Sequence, residues 1–300
     1  MRATAACCLL LAACMTVPGP AQGQADRYAP TVLQIAPTPR AATFGSSAAA
    51  RDIEAIFGNP ALVGVAVGTV AAMGRFDAAT HLTLASALSL GAFSVGVGAQ
   101  YLDHAAVGNS FPYYSRALQE GGFIPASSAV GAFGLAATVR GNRVGAVVKY
   151  VEQRNGMLRD AAPSLDVGLA RDVSRYTVGV TVQNIGAGLH YPGTSAQLPL
   201  RVAAGVSSYG WTVGPFDVNG SAGASVLTDV LVLPAMGLEL AYVPMEGYNF
   251  AIRAGVRRPE LRAQRPLSIG GSASLDRFAL EYAFEDWLNG NTHRLALRVR

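Results

Sequence analysis

Beyond residue 25 the 300-residue chain contains no cysteine; Cys7, Cys8 and Cys14 all lie before that point. A chain cleaved there carries no disulfide, no reactive thiol and no cysteine metal ligand. It also lacks any later run of about 18 apolar residues, which excludes a membrane-spanning helix. Charge is scarce: Asp, Glu, Lys and Arg make up 14% of the residues against 51% hydrophobic, a balance usual for membrane proteins. The net charge of +4 becomes +3 when Arg2 is removed, too small and too scattered for a nucleic-acid partner. Enzyme motifs are missing as well. His81, His104, His190 and His293 stand apart with no H-E-x-x-H pair, and there is no phosphate-binding loop, G-x-S-x-G or G-x-G-x-x-G. No catalytic residue, no metal and no cofactor is expected.

Residues 1–25 read as a signal peptide. Arg2 supplies the positive start, Ala3 to Val17 is apolar apart from Thr4 and Thr16, and Gly23-Gln24-Ala25 fits a cleavage site. Leu11-Ala12-Ala13-Cys14 also fits a lipobox, so lipidation at Cys14 stays open beside cleavage after Ala25. Either route exports the chain.

Past residue 60 the dominant pattern is alternation. Val144, Ala146, Val148 and Tyr150 alternate with Gly145, Val147, Lys149 and Val151. Phe278, Leu280, Tyr282 and Phe284 alternate with Arg277, Ala279, Glu281 and Ala283. Successive side chains of a strand point to opposite faces, so each segment has one greasy face and one small or charged face. High apolarity without a spanning helix leaves a closed barrel as the structure that satisfies its backbone in lipid. Strands are expected near 61–74, 79–90, 92–102, 127–140, 143–154, 162–171, 175–185, 199–208, 213–225, 233–242, 248–257, 266–274, 276–285 and 291–300. Fourteen is an even number, and long and short connections alternate, as bacterial barrels require. The short turns and both termini then face the periplasm. The expected fold is all-β: a 14-stranded antiparallel transmembrane β-barrel over 61–300. A periplasmic N-terminal segment precedes it over 26–60. Within that segment residues 26–41 look extended. A short helix is expected over 46–58, its apolar face (Ile53, Ile56, Phe57) buried against the barrel as a plug or cap.

Several stretches, in this order, resemble the PorV/PorQ family of outer-membrane barrels. They are Asp52-Ile53-Glu54-Ala55-Ile56-Phe57-Gly58-Asn59-Pro60-Ala61, Val144 to Tyr150, Leu165-Asp166-Val167-Gly168-Leu169, and Val182-Gln183-Asn184-Ile185-Gly186 followed by Leu198-Pro199-Leu200-Arg201. Gly237 to Tyr242, Ile252 to Gly255, Leu280 to Phe284 and Thr292 to Leu297 continue the series. The chain departs from the family in ending on Arg298-Val299-Arg300 rather than an aromatic residue. The resemblance implies an outer-membrane location and a non-enzymatic, secretion-associated scaffold or binding protein of the type IX kind. The design is shared with FadL long-chain transporters, which implies the alternative, a transporter of hydrophobic small molecules. The partners so implied are outer-membrane lipid, secretion-system or cargo proteins, and a hydrophobic ligand.

The residues for these roles follow from the register. Lys149, Asp166, Glu239, Arg253 and Glu281 fall on the non-greasy face and are the lumen candidates, as a polar path or as ion pairs filling the barrel. Arg294 and Arg298 share that face. Small residues (Ser94, Gly96, Gly98, Gly168, Ala170, Ser268, Gly270 and Ser272) leave room there for a plug or passage. Asn59, Pro60 and Ala61, where the chain meets the first strand, are hatch candidates, or else a proline-stopped turn capped by asparagine. Phe111, Tyr113, Tyr114 and Phe123 in the 102–126 loop form an aromatic cluster suited to a partner, or to folding over the barrel mouth.

Overall fold

The computed structural model describes residues 30–45, 48–76, 79–103, 126–155, 158–191, 194–228, 231–261, 264–287 and 290–300. The signal segment and the aromatic loop with Phe111, Tyr113, Tyr114 and Phe123 lie outside the described residues. Among the described residues there are sixteen strands: β1 (Gly68–Phe76), β2 (Ala79–Leu90), β3 (Phe93–Asp103), β4 (Ala126–Val139), β5 (Asn142–Asn155), β6 (Leu158–Val173), β7 (Tyr176–Gly186), β8 (Leu189–Tyr191), β9 (Thr194–Ala196), β10 (Arg201–Val213), β11 (Phe216–Leu227), β12 (Val232–Tyr242), β13 (Tyr248–Arg257), β14 (Gln264–Leu275), β15 (Phe278–Trp287) and β16 (Gly290–Val299). All but β8 and β9 form one closed antiparallel barrel of fourteen strands, each paired with its neighbours in sequence. Closure is made by β1 on β16, from Thr69↔Val299 to Phe76↔Thr292. It leaves no unpaired edge, the condition lipid imposes on a sheet.

The alternation resolves into an outer and an inner face. Leu84, Phe133, Val148, Ile252, Leu280 and Leu297 are exposed on the outside. Thr83, Lys149, Arg253, Glu281 and Arg298 are buried on the inside. Rings gather on the outer face at both levels: Tyr176 with Trp211 and Phe216 with Tyr242 toward one end, and Tyr101, Tyr150 and Tyr282 toward the other. Such belts mark the water interfaces of a membrane barrel.

We call the near end the one at which the chain joins β1 and β16 finishes. Its turns are tight. The β4–β5 turn is Arg140-Gly141, closed by Val139↔Asn142. Both turn residues have positive φ (50° and 79°), the geometry whose twist matches a two-residue hairpin. The expected Gly141-Asn142 turn is therefore shifted by one residue. The far end carries the longer connections, among them the β8–β9 hairpin, whose Leu189 packs on inward-facing Ala162 and covers part of the mouth.

Several expectations near the N-terminus are corrected. Residues 61–67 do not open the first strand. Pro60–Leu62 is a 3-10 turn, and β1 begins at Gly68. The helix expected over 46–58 shrinks to one 3-10 turn, Ile53–Phe57. An α-helical turn instead forms earlier, α1 (Pro39–Thr43), inside the stretch expected to be extended; Thr38 caps it by accepting from Ala41 N at 3.1 Å. The cause is tertiary. Residues 30–64 run along the lumen from the far end to the near end, and their backbone is held by the barrel wall rather than by helical hydrogen bonds. Val32 and Ile35 pack with Phe76, Leu102, Ala126 and Trp287 at the far end. Ile53 and Ile56 pack with Val63, Val70, Ala85 and Val147 deeper in. The segment was expected at the near end, as a plug in the lumen or a cap under it; it lies inside the lumen and reaches the far end as well.

Candidate functional site

An irregular segment buried in a barrel leaves carbonyls that no helix or strand ladder satisfies. The wall supplies the donors. Arg294 Nη1 donates to Ala36 O at 2.7 Å, Ser268 Oγ to Ala42 O at 2.9 Å, and Ser221 Oγ to Phe44 O. Gln183 Nε2 donates to Phe57 O at 3.1 Å and to Gly58 O. Asn59 is the hub at the hatch position. Its Nδ2 donates to Ala48 O at 2.7 Å and Leu169 O at 3.3 Å, while its Oδ1 accepts from Ala61 N at 3.0 Å. Pro60 and Ala61 are buried beside it.

Wall glycines make this close approach possible. A Cβ on Gly168 would stand 2.0 Å from Asn59 Oδ1, one on Gly145 2.3 Å from Pro60 O, and one on Gly179 2.0 Å from Ala48 O. Gly96 and Gly98 meet Val63, Ile56 and Phe57 in the same way. Gly179→Ala brings a side chain against backbone, so wall or segment must move. We expect it to lower stability by about 1–3 kcal/mol and to raise single-channel conductance. Urea unfolding and planar-bilayer recordings check the two effects; wild-type values in both would show that the segment is not seated against β7.

The lumen candidates are inward and buried, and they fall into two groups. Glu239, Arg253 and Glu281 join an ionic layer across the barrel. Arg253 Nε lies 2.5 Å from Glu239 Oε2, and its Nη2 lies 4.0 Å from Glu281 Oε1. Arg298 lies 3.2 Å from Glu281 and 3.1 Å from Glu54 of the segment. Arg40 of the segment pairs with Asp52 at 2.7 Å and Glu239 at 2.5 Å. Lys149 and Asp166 form the other group, 2.5 Å apart. Asn184 completes it, accepting from Lys149 Nζ at 3.0 Å and donating its backbone N–H to Asp166 at 2.7 Å.

Arg40, Asp52, Glu54, Gln183 and Asn184 were not among the sequence candidates. The signal for the last two was present in the Gln183-Asn184 stretch. There the β6–β7 register shifts between Leu165 and Val167, so both residues oppose one partner. This β-bulge, with Asn184 at φ 60°, turns two successive side chains inward. The acidic and basic residues of the lumenal segment carried no such signal, because a segment without periodicity has no face to read.

The far-end cavity, ≈ 850 Å³ and partly open to solvent, lies between residues 33–45 and the wall of β10–β13. Leu33, Ile35, Pro37, Phe57, Ala203 and Leu233 are its apolar lining, and Gln183, Arg201, Arg257, Arg258, Glu260 and Gln264 are among an almost equal polar share. Arg201 bonds Glu260 across the rim. Burial pushes the Glu260 carboxyl up despite that guanidinium. A smaller cavity of ≈ 410 Å³ adjoins at Pro37, Ala41, Gly45 and Phe57 and reaches Arg40, Asp52 and Glu54 of the ionic layer. Concave apolar walls with a few placed polar groups are what small-molecule sites have in common.

The protein is thus a transmembrane β-barrel with a segment-filled lumen and a cavity of mixed apolar and polar lining at one mouth. No family model matches the chain, and no curated protein matches it. Solved structures do. The toluene transporter TbuX of Ralstonia pickettii is 13% identical with a TM-score of 0.56, over 90% of this chain and 99% of that one. The monoaromatic hydrocarbon channel CymD is 13% identical with a TM-score of 0.56, over 90% and 97%. The Pseudomonas putida toluene transporter TodX is 10% identical with a TM-score of 0.54, over 86% and 94%. At these identities the likeness is one of fold, that of outer-membrane transporter barrels.

Proposed function

We propose that this chain is an outer-membrane transporter of hydrophobic small molecules, of the FadL-type design, and non-enzymatic. The observation that carries the proposal is the far-end cavity. It sits between the lumenal segment and the wall, mixes apolar with polar side chains at the mouth, and continues into the smaller and more apolar cavity that reaches the ionic layer. The fold supports the reading, since the structures it resembles are named as transporters or channels for hydrocarbons. The near end, with its tight turns and both barrel termini, faces the periplasm in this reading, so the cavity opens outward. The ionic layer lies beneath the cavity, where a charged lining stops an apolar ligand until the segment shifts. Lys149 and Asp166 hold the bulge that presents Gln183 to that segment, and Asn59, Pro60 and Ala61 form its lower hinge.

The secretion-associated role implied by the PorV/PorQ resemblance finds no support in the comparisons. Transport is tested by uptake in cells that lack a hydrophobic-compound transporter. Toluene and a long-chain alkyl acid are the probes. Expression of the chain should raise the uptake of at least one of them. Ala203→Trp, which fills the cavity from the wall, should return uptake to background while the barrel still shifts on a gel when heated. Background uptake by the unaltered chain would remove the transport reading.

A further inference from the structure

At the near end lies a third cavity, apart from the two at the far end. Residues 61–65 of the lumenal segment bound it on one side, and the β2–β3 turn and the ends of β4 and β5 on the other. With the open solvent at its mouth it measures ≈ 570 Å³, and its lining is mostly polar. Arg51, Arg143, Ser89, Ser94 and Thr138 bring guanidinium and hydroxyl groups to it, and no Asp or Glu lines it. Arg143 is held in place by Asp172, 2.8 Å from Nη2. That carboxylate is already engaged by Thr177 Oγ1 at 2.6 Å. The other terminal nitrogen of Arg143, Nη1, has no hydrogen-bond partner and is shut off from solvent, so a small turn of the guanidinium brings it to the cavity. A buried donor of this kind calls for an acceptor. Arg51 stacks over the Tyr209 ring, 5.3 Å from its centroid, and enters no ion pair among the described residues. A ring face meets the plane of a guanidinium but leaves its N–H edges to other acceptors.

Two guanidinium groups with donors to spare, three hydroxyls and no lining carboxylate complement an anion. We propose that this cavity binds a small oxyanion, a phosphate or carboxylate group, with Arg51 and Arg143 as its charge partners and the hydroxyls orienting it. The site is separate from the far-end cavity, so its occupancy does not depend on what the barrel transports.

Isothermal titration of the full-length barrel in detergent, with inorganic phosphate and separately with succinate, tests the site. At least one should give saturable heat. Arg51→Gln should weaken binding about tenfold or more, and Arg143→Gln at least as much. Arg51→Gln leaves the Arg143–Asp172 pair intact, so it reports on the site even if Arg143→Gln fails to fold. Binding of phosphate alone, of succinate alone or of both supports the proposal and says which oxyanion fits. No saturable heat from either probe, or an Arg51→Gln affinity equal to wild type, overturns it.

Discussion

Arg298→Met is expected to lower the unfolding free energy by about 3–5 kcal/mol, the usual cost of removing one partner from a buried ion pair. Arg298 is only 1% exposed and serves two carboxylates, Glu281 of the wall and Glu54 of the lumenal segment. Methionine fills much of the volume but answers neither charge. Glu54 keeps its bond from Thr38 Oγ1 at 2.5 Å, and Glu281 keeps only the long contact to Arg253 at 4.0 Å. Urea unfolding, followed by the heat-dependent shift of the folded band on a gel, measures the loss. The reason for the loss is charge rather than shape. The triple variant R298M/E54Q/E281Q should therefore recover most of it, because well-packed neutral groups replace a buried ion network at little cost. A single-variant loss below about 1 kcal/mol would show that water reaches these carboxylates, since exposed pairs contribute no more than that.

Removing residues 30–58 should turn the barrel into an open pore. Without them the inner wall offers Thr83, Gln100, Lys149, Ser207, Arg253 and Arg294 to a water-filled channel. A barrel this size is kept closed only by what fills it. Conductance in planar bilayers is expected to rise on the order of tenfold or more over the full-length chain. The deletion has to reach back to residue 30. Taking out only 42–58 leaves Val32 and Ile35 packed against Phe76, Leu102 and Trp287 at the far mouth. Equal conductance of the full-length and truncated chains would mean that the wall itself constricts, and the hatch role of Asn59, Pro60 and Ala61 would be lost with it.

How far the fold could be read depended on the element. The strands at 79–90 and 248–257 occur with the expected bounds, and the other barrel strands lie within a few residues of theirs, the first excepted. That first strand was placed seven residues early for an identifiable reason. Val63, Val65 and Val67 alternate with Gly64, Ala66 and Gly68 as well as any strand does. Yet Gly64 lies at φ 77° and packs against Ser94 inside the barrel, where a residue with a side chain would not fit. Period-2 alternation says that a segment has two faces; it does not say that the segment has found a partner strand.

By itself the sequence determined the class: two-faced segments, an even strand count, and no helix able to cross a membrane. These are local properties, set by how side chains point along an extended backbone and by what lipid and water will tolerate. Tertiary structure alone decided the content of the lumen. Residues 30–45 have no periodicity and little propensity of their own, and they are ordered because Ser221, Ser268 and Arg294 of the wall satisfy their carbonyls and the wall glycines Gly237 and Gly255 make room. It also decided the ion partners. Arg298 meets Glu54 across 244 positions of chain and Arg40 meets Glu239 across 199. Such pairings arise only when the barrel closes around the segment, because no local pattern specifies which inward charge will face which.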